Sequence, residues 1–405
     1  MGQANPPSLT TALEDQQPND WSQPLCASQY LPPLDSFHPI QEMKETRSGL
    51  DITPLGVSIN LSTPDDIDSM QLLDCLLQEI RMRCGSRNNR PVHLLEIHLQ
   101  ASNLETAGIT ELVYHLGRCF RLAHAGAHHF RAHLTLDQAR ETTIALLKGL
   151  GFNQLFLHID ENTPGNIEQL NTALSLSQRY QYTNTALKCH YLSPTTETLL
   201  NHAQQAPQAI QHIELEALAE DTEQHQRFFA LFDQLRSAHY RVLGNDCFVD
   251  PKHPLARAQM NNHLRLTPLG YNTVNVSDIC GLGLGNITRE GRHFYRNTEA
   301  FETYRDRLSA DRSPVTHTLT LSQQAILMQR IINQLLCYHQ LDLGYLESRY
   351  QVNSTQLRDI LKQAANGHSW FQDSKTHLSL TPQGISHLNH LSRILSQSQL
   401  ETGYF

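Results

Sequence analysis

Five residues of this sequence are of types that bind soft or borderline metals, and they recur at intervals: His98, His133, His158, His190 and Cys247. Imidazole nitrogen and thiolate sulfur are the protein ligands that zinc, copper and iron favour. Each histidine stands near the C-terminal end of a short apolar run, at 93–99, 129–134, 154–159 and 185–192. Cys247 follows a later run of the same kind, 240–245. If these runs are parallel strands of one barrel, their C-terminal ends share the face on which such folds keep their active sites. Glu214, Glu216, Asp160 and Asp246 fall where they would complete a site or pair as barrel-end ion pairs. The competing account is compositional. The chain has 23 histidines against 31 lysines and arginines, and a histidine on a buried strand is ordinarily satisfied by a nearby carboxylate or carbonyl.

The elements that would position these residues repeat. A first strand is expected within 50–61, followed by a helix to about residue 84 with apolar residues at helical spacing. Strand then alternates with helix through residue 245. The helical stretches at 103–122, 136–150, 166–180, 195–205 and 221–239 each separate two apolar runs. Such alternation predicts parallel crossovers and a barrel or partial barrel. From residue 303 the pattern turns helical, with helices at 321–339, 345–350 and 354–365. A hairpin at 370–380 follows, and a last helix is capped by Thr381 with Pro382 in its first turn. That order resembles a winged helix. Arg358 and Lys362 are the only basic residues on its would-be recognition helix, so a packing role is favoured over DNA reading.

Composition narrows the classes. A net charge of −9 over 405 residues argues against a nucleic-acid partner, because phosphate attraction requires a basic surface. No apolar run reaches membrane-spanning length, the first residues lack the features of a signal peptide, and a cytoplasmic location is expected. The eight cysteines include no C-x-x-C pair, so neither a zinc ribbon nor a redox dithiol is visible. Residues 1–48 are rich in Pro, Gln and Ser and read as a mostly disordered leader. Residues 49–300 read as the barrel and 301–405 as a C-terminal domain.

The remaining signal is a run in which glycines alternate with apolar residues: Asp278-Ile279-Cys280-Gly281-Leu282-Gly283-Leu284-Gly285. It lacks the third glycine and following helix of a dinucleotide fingerprint. Upstream lie Asp246-Cys247-Phe248, Pro251, Leu255-Ala256 and Gly270-Tyr271. In this arrangement the segment 244–287 resembles the oxygen-independent coproporphyrinogen III oxidase family of radical SAM proteins, which includes haem-chaperone relatives. Cys247 stands where that family usually has His. A fainter resemblance runs from residue 50 to the C-terminus. It implies an α/β fold: a partial parallel (β/α)6 barrel of radical SAM type with a C-terminal helical, winged-helix-like domain. It also implies that Asp278, Gly281, Gly283 and Gly285 lie beside a cofactor.

The same resemblance argues against the family's reaction. Radical SAM chemistry uses a 4Fe–4S cluster whose thiolate ligands the family takes from a C-x-x-x-C-x-x-C loop after the first strand. Here that stretch is Ser58-Ile59-Asn60-Leu61-Ser62-Thr63-Pro64-Asp65, and no cysteine lies between Cys26 and Cys75. No 4Fe–4S cluster is therefore expected. The family's SAM-binding turn corresponds to His98-Leu99-Gln100-Ala101-Ser102, its acidic residue on the third strand to His133, and its Gly-x-Gln to His158-Ile159-Asp160. The expectation is a degenerate member of the family that binds haem, a porphyrin or a transition metal in the old barrel cavity. The alternatives are an oxidoreductase of porphyrin biosynthesis with an unusual metal site, and a regulatory protein acting through the winged-helix-like domain. No protein partner is indicated.

Overall fold

The computed structural model describes residues 37–40, 53–62, 67–87 and 90–400, apart from 101, 124–127, 162, 191, 206–209, 217–221, 239 and 399. Except for 37–40, the expected leader lies outside the described residues.

The strands Leu55–Asn60 (β1), Pro91–His98 (β2), His129–Thr135 (β3), Gln154–Ile159 (β4), Asn184–Cys189 (β5) and His212–Leu215 (β6) pair side by side and in parallel. They read as apolar runs because both faces are covered. Leu95, Ile97, Ala132, Leu134, Leu155, Leu157 and Ile159 point outward into one large core shared with the flanking helices. The alternate residues, among them Glu96, His98, Arg131, His133, Phe156 and His158, point inward, as the two-residue period of a strand requires. The glycine run forms Asp278–Leu282, which pairs in parallel with β1 and extends the sheet on its other side. The sheet stays open: among the described residues no pairing joins its two ends. A hairpin, Arg265–Thr267 with Gly270–Asn272, lies over the inner face, where Leu269, Val274 and Val276 pack on Leu94 and Ile279.

Three features differ from the sequence reading. The run at 240–245 was expected to be one more parallel strand. It is Arg241–Leu243, which turns back at Gly244 (φ +58°) into Cys247–Val249. Cys247–Val249 in turn pairs antiparallel with β6. Too few residues separate Arg241–Leu243 from Cys247–Val249 for the dozen or more of a parallel crossover, so the two form a hairpin, and its second strand lies against β6. The sheet also continues past residue 300 through Ile287–Glu290, His293–Asn297 and Val315–Thr320, which alternate too weakly to stand out in sequence. Within the leader, His38–Pro39 adds an edge strand to Val315–Thr320, pinned by Phe37 against Ile287 and Phe294.

The C-terminal unit is helical with a small sheet, as the pattern predicts. Helices Gln323–Tyr338, Leu343–Tyr350, Ser354–Ala364 and Leu388–Gln397 surround Gln340–Asp342, His377–Leu380 and Phe371–Asp373. Its core runs into the barrel through Leu243, Cys247, Val249 and Leu255. No helix among the described residues is long and apolar enough to cross a membrane.

Candidate functional site

The strand stagger sets the site. His98 pairs across from His133, His133 from Phe156, His158 from Lys188, and Lys188 from Glu214. Two residues beyond Phe156 is His158, two beyond Lys188 is His190, and two beyond Glu214 is Glu216. Steps of two keep the same face, so a diagonal of side chains climbs across the tilted strands. His133 Nδ1 lies 2.8 Å from His158 Nε2, His158 Nδ1 lies 2.7 Å from His190 Nε2, and His190 Nδ1 lies 2.5 Å from Glu216 Oε2. At the inner end His98 stacks on His133, with ring centroids 4.2 Å apart. Four of the five expected residues therefore stand in one file, and the structure brings them to Glu216.

Beneath the file is a cavity of about 180 Å³, lined in part by Ser58, Glu96, His98, Arg131, His133, Lys188 and Glu214. Glu96 is its buried carboxylate. Its Oε1 accepts from Arg131 at 2.7 Å, while its Oε2 faces His98 Nε2 at 3.7 Å and His133 Nε2 at 4.0 Å. Burial pushes the Glu96 carboxyl up, but His98 and the Arg131 guanidinium outweigh burial and hold it below the ordinary value. Arg131 is fully engaged, also donating to Gln154 and to the carbonyls of Leu269 and Tyr271. Burial, with the neighbouring cations, drives His133 and His158 well below the ordinary imidazole value, so both rings are neutral. The buried Nε2 of His133 has no hydrogen-bond partner. Glu96, His98 and His133 each offer one ligand atom, and these atoms lie within 4.8 Å of one another.

Cys247 stands apart from the file. Its sulfur is 3.2 Å from His212 Nε2, which also lies 3.1 Å from Glu214 Oε1. Behind His212, its Nδ1 meets Asn184 Nδ2 at 3.2 Å, and Asn184 Oδ1 meets His253 Nε2 at 3.2 Å. His253 Nδ1 accepts from the Leu255 backbone N–H. The thiol is fully buried, and burial, with Glu214 and Asp246, raises it well above its ordinary value. Glu214 is held at about 2: burial raises it, but the Lys188 charge and the His212 bond prevail.

The glycine run meets protein backbone. A Cβ on Gly281 would lie 2.4 Å from the Ile287 carbonyl oxygen, and one on Gly283, at φ +95°, would lie 2.2 Å from that of Asn60. Gly283 N–H donates to the buried Glu79, which also accepts from Asn297 and Tyr304. Gly285 faces Glu299, and Asp278 pairs with Arg90 at 2.8 Å and accepts from Gly291 N–H. Close strand packing thus accounts for Gly281 and Gly283, and an ion pair for Asp278.

Sequence reasoning missed Glu96, Arg131 and His212. The available signal was parity: Glu96 and Arg131 stand two residues before His98 and His133, hence on the same face.

A protein named oxygen-independent coproporphyrinogen III oxidase from Pseudomonas aeruginosa is 22% identical over 246 residues, which are 53% of this chain and 54% of that protein. One from Thermostichus vulcanus is 26% identical over 160 residues (38% and 49%), and one from Helicobacter pylori 27% over 124 (31% and 27%). The solved coproporphyrinogen III oxidase of Escherichia coli, described as a radical SAM enzyme, superimposes with a TM-score of 0.74 at 17% identity, covering 85% of this chain and 90% of that one. The chain has the fold of coproporphyrinogen III oxidase. In sequence, the alignments span about half the length of these curated oxidases or less. No family model matches.

The stretch after β1 offers no thiolate to the 4Fe–4S cluster that the sequence resemblance implies. After β1, the Asn60 side chain is turned back onto the Leu284 carbonyl and the Ser62 N–H, and the stretch to Cys75 contains no thiol. The described cysteines 189, 247 and 280 are buried inside the barrel wall, and burial raises Cys189 to about 12.

Proposed function

We propose that this protein uses the coproporphyrinogen oxidase fold without radical SAM chemistry, as a binding protein whose barrel-mouth site takes a transition metal ion. The observation that carries this reading is the convergence of Glu96, His98 and His133, with one ligating nitrogen buried and lacking a hydrogen-bond partner. An unpartnered buried nitrogen is costly unless something occupies it. Carboxylate with two imidazoles is a donor set suited to zinc, cobalt or iron(II). His98 turns out of its stack to share the ion. Its other nitrogen is only 3.5 Å from Gln100 Nε2, so little resists the turn.

The cavity size favours an ion over a whole tetrapyrrole, since about 180 Å³ falls below the roughly 300 Å³ at which small-molecule pockets begin. A haem would be held from outside by His98, a partly exposed ring whose nitrogens are not tied into the file. Titration of the purified protein with Co²⁺ tests the main reading: saturable binding near one ion per chain is expected, weakened on the order of 100-fold in His98→Ala and His133→Ala. Haem titration of His98→Ala tests the outer mode. Anaerobic reconstitution with iron and sulfide is expected to yield no cluster and no 5′-deoxyadenosine from SAM. A stoichiometric cluster with SAM cleavage would overturn the proposal.

A further inference from the structure

Far from the barrel mouth, two cysteines meet where two helices end. Cys84 stands in the last turn of the helix Ser69–Arg87, and Cys119 is the last residue of the helix Thr106–Cys119. The helices pack side by side on the outer face of the sheet, with Leu73, Leu76, Leu112 and Leu116 in the core that covers β2. Cys119 belongs to that core, Cys84 packs against it, and the two thiols share a hydrogen bond. Among the described cysteines Cys84 alone is partly exposed, while Cys119 and the rest are buried. A disulfide requires the sulfurs to close to about 2 Å, a small approach for thiols already in contact. Helix ends fray, so the terminal turns that carry both cysteines can supply it.

We propose that Cys84 and Cys119 are a redox-active dithiol, which a small-molecule disulfide oxidises to a bond between the two helices. Access assigns the roles, since exchange begins at the sulfur that solvent reaches. Cys84 loses its proton to water and attacks one sulfur of the disulfide RSSR. A mixed disulfide forms as RS⁻ leaves and takes up a proton. Burial and the bond with Cys84 keep Cys119 a thiol, while the Arg81 and Arg118 guanidiniums beside it pull toward the thiolate. Cys119 then attacks the Cys84 sulfur as its S–H proton passes to water. The bond from Cys84 to SR breaks, and the second RS⁻ leaves and is protonated. The chain gives up two electrons and two protons, and RSSR becomes two RSH. The new bond closes a loop that contains the whole of β2, with Glu96 and His98. It lies before β2 begins, whereas those two residues stand near its end, so oxidation staples the fold and leaves the site alone. A cross-link of this kind stabilises by restricting the unfolded chain.

The dithiol shares no residue with the metal reading, and neither stands or falls with the other. Full-length chain, reduced with dithiothreitol and then freed of it, is incubated with oxidised glutathione. The intact mass is expected to fall by two hydrogens, and the tryptic peptides 84–87 and 119–121 to appear joined. Iodoacetamide labelling of Cys84 is expected to be lost, and dithiothreitol to restore it. Cys119→Ser is expected to stop at a glutathione adduct on Cys84, and Cys84→Ser to leave Cys119 unmodified. An adduct that persists on Cys84 in the unaltered chain overturns the dithiol. So does an unchanged mass, or a bond from Cys84 to Cys26 or to a second chain. The oxidised chain is expected to melt several degrees higher than the reduced one, and an equal or lower midpoint overturns the staple.

Discussion

Two hydrogen-bonded files of histidine lie on the inner face of the same sheet, and they end differently. One meets the Glu216 carboxylate at its outer end and finishes at His133 Nε2, which has no hydrogen-bond partner. The other is anchored by a donor, the Leu255 backbone N–H. It passes through His253 and Asn184 and ends in an N–H on His212 Nε2, which is spent on Glu214 and lies against Cys247. Residue types alone make the second group, with its thiol, the better metal site. The contacts reverse that ranking, because His212 Nε2 is already taken up by Glu214 and Cys247 while His133 Nε2 has no hydrogen-bond partner. What a histidine can do here is decided at the far end of its hydrogen-bond chain.

The largest expected difference between the files is in stability. Glu214 neutralises the buried Lys188 at 3.6 Å and fixes His212, and Glu214→Ala strands both. Breaking a buried pair from one side costs roughly 3–5 kcal/mol. Glu216 stands at the rim, and Glu216→Ala removes a hydrogen bond to a charged group, about 1.5 kcal/mol or a little more. Urea denaturation measures both, and equal losses would erase the distinction between a structural file and a working one.

Metal affinity separates the files next. His98→Ala should weaken Co²⁺ binding on the order of 100-fold, about 2.7 kcal/mol. His212→Ala and Cys247→Ser should leave the affinity unchanged, as isothermal calorimetry would show. Loss of affinity in the latter pair instead would move the ion to the second cluster.

Acid should act through both files. Burial holds His253 at about 3 and His129 at about 4, and lowers His133 and His158 well below 6.5. Each stays neutral in the fold while its unfolded counterpart protonates below 6.5, so the unfolded chain binds more protons and stability falls as pH drops through that range. Each such group contributes a slope of about 1.4 kcal/mol per pH unit. Glu214, lowered from 4.5 to about 2, adds stability that is complete above 4.5 and lost as pH falls toward 2. Unfolding free energies measured between pH 6 and 4.5 should fall steeply. His253→Gln should flatten the slope by about one group's share, and an unchanged slope would show that His253 is already charged in the fold.

Much of this fold was legible in the sequence. The apolar runs and intervening helices mark the parallel strands, because strands covered on both faces cannot tolerate polar interruption. The resemblance around Gly281 and Gly283 points to the same scaffold. The antiparallel turn at Gly244 was missed because a short strand pair leaves no periodicity to read. The file of His98, His133, His158 and His190 was legible from strand-end position alone. What each file ends in was not, because the first meets Glu216 from another strand and the second is set by a backbone N–H at Leu255. A backbone donor leaves no trace in residue identity. Cys247 was grouped with the histidines because it follows the run at 240–245, read as a parallel strand; it stands instead in a strand of its own, antiparallel to β6, which carries the thiol to His212.

The smallest expected effect is an absence of reaction, and it tests the second file directly. A thiol becomes nucleophilic through its thiolate, and a histidine activates it by accepting the proton. His212 offers Cys247 an N–H instead, with its own lone pair turned away to Asn184. The carboxylates of Glu214 and Asp246 add to burial in disfavouring the thiolate. Iodoacetamide treatment of the native protein, followed by peptide mass spectrometry, should therefore leave Cys247 unlabelled while the half-buried Cys84 reacts. His212→Ala should not change this, because removing an N–H donor lowers thiolate content if it does anything. If Cys247 reacts readily in the native protein and loses that reactivity in His212→Ala, His212 is acting as its base. The direction assigned to the second file, and with it the contrast with the first, would then be wrong.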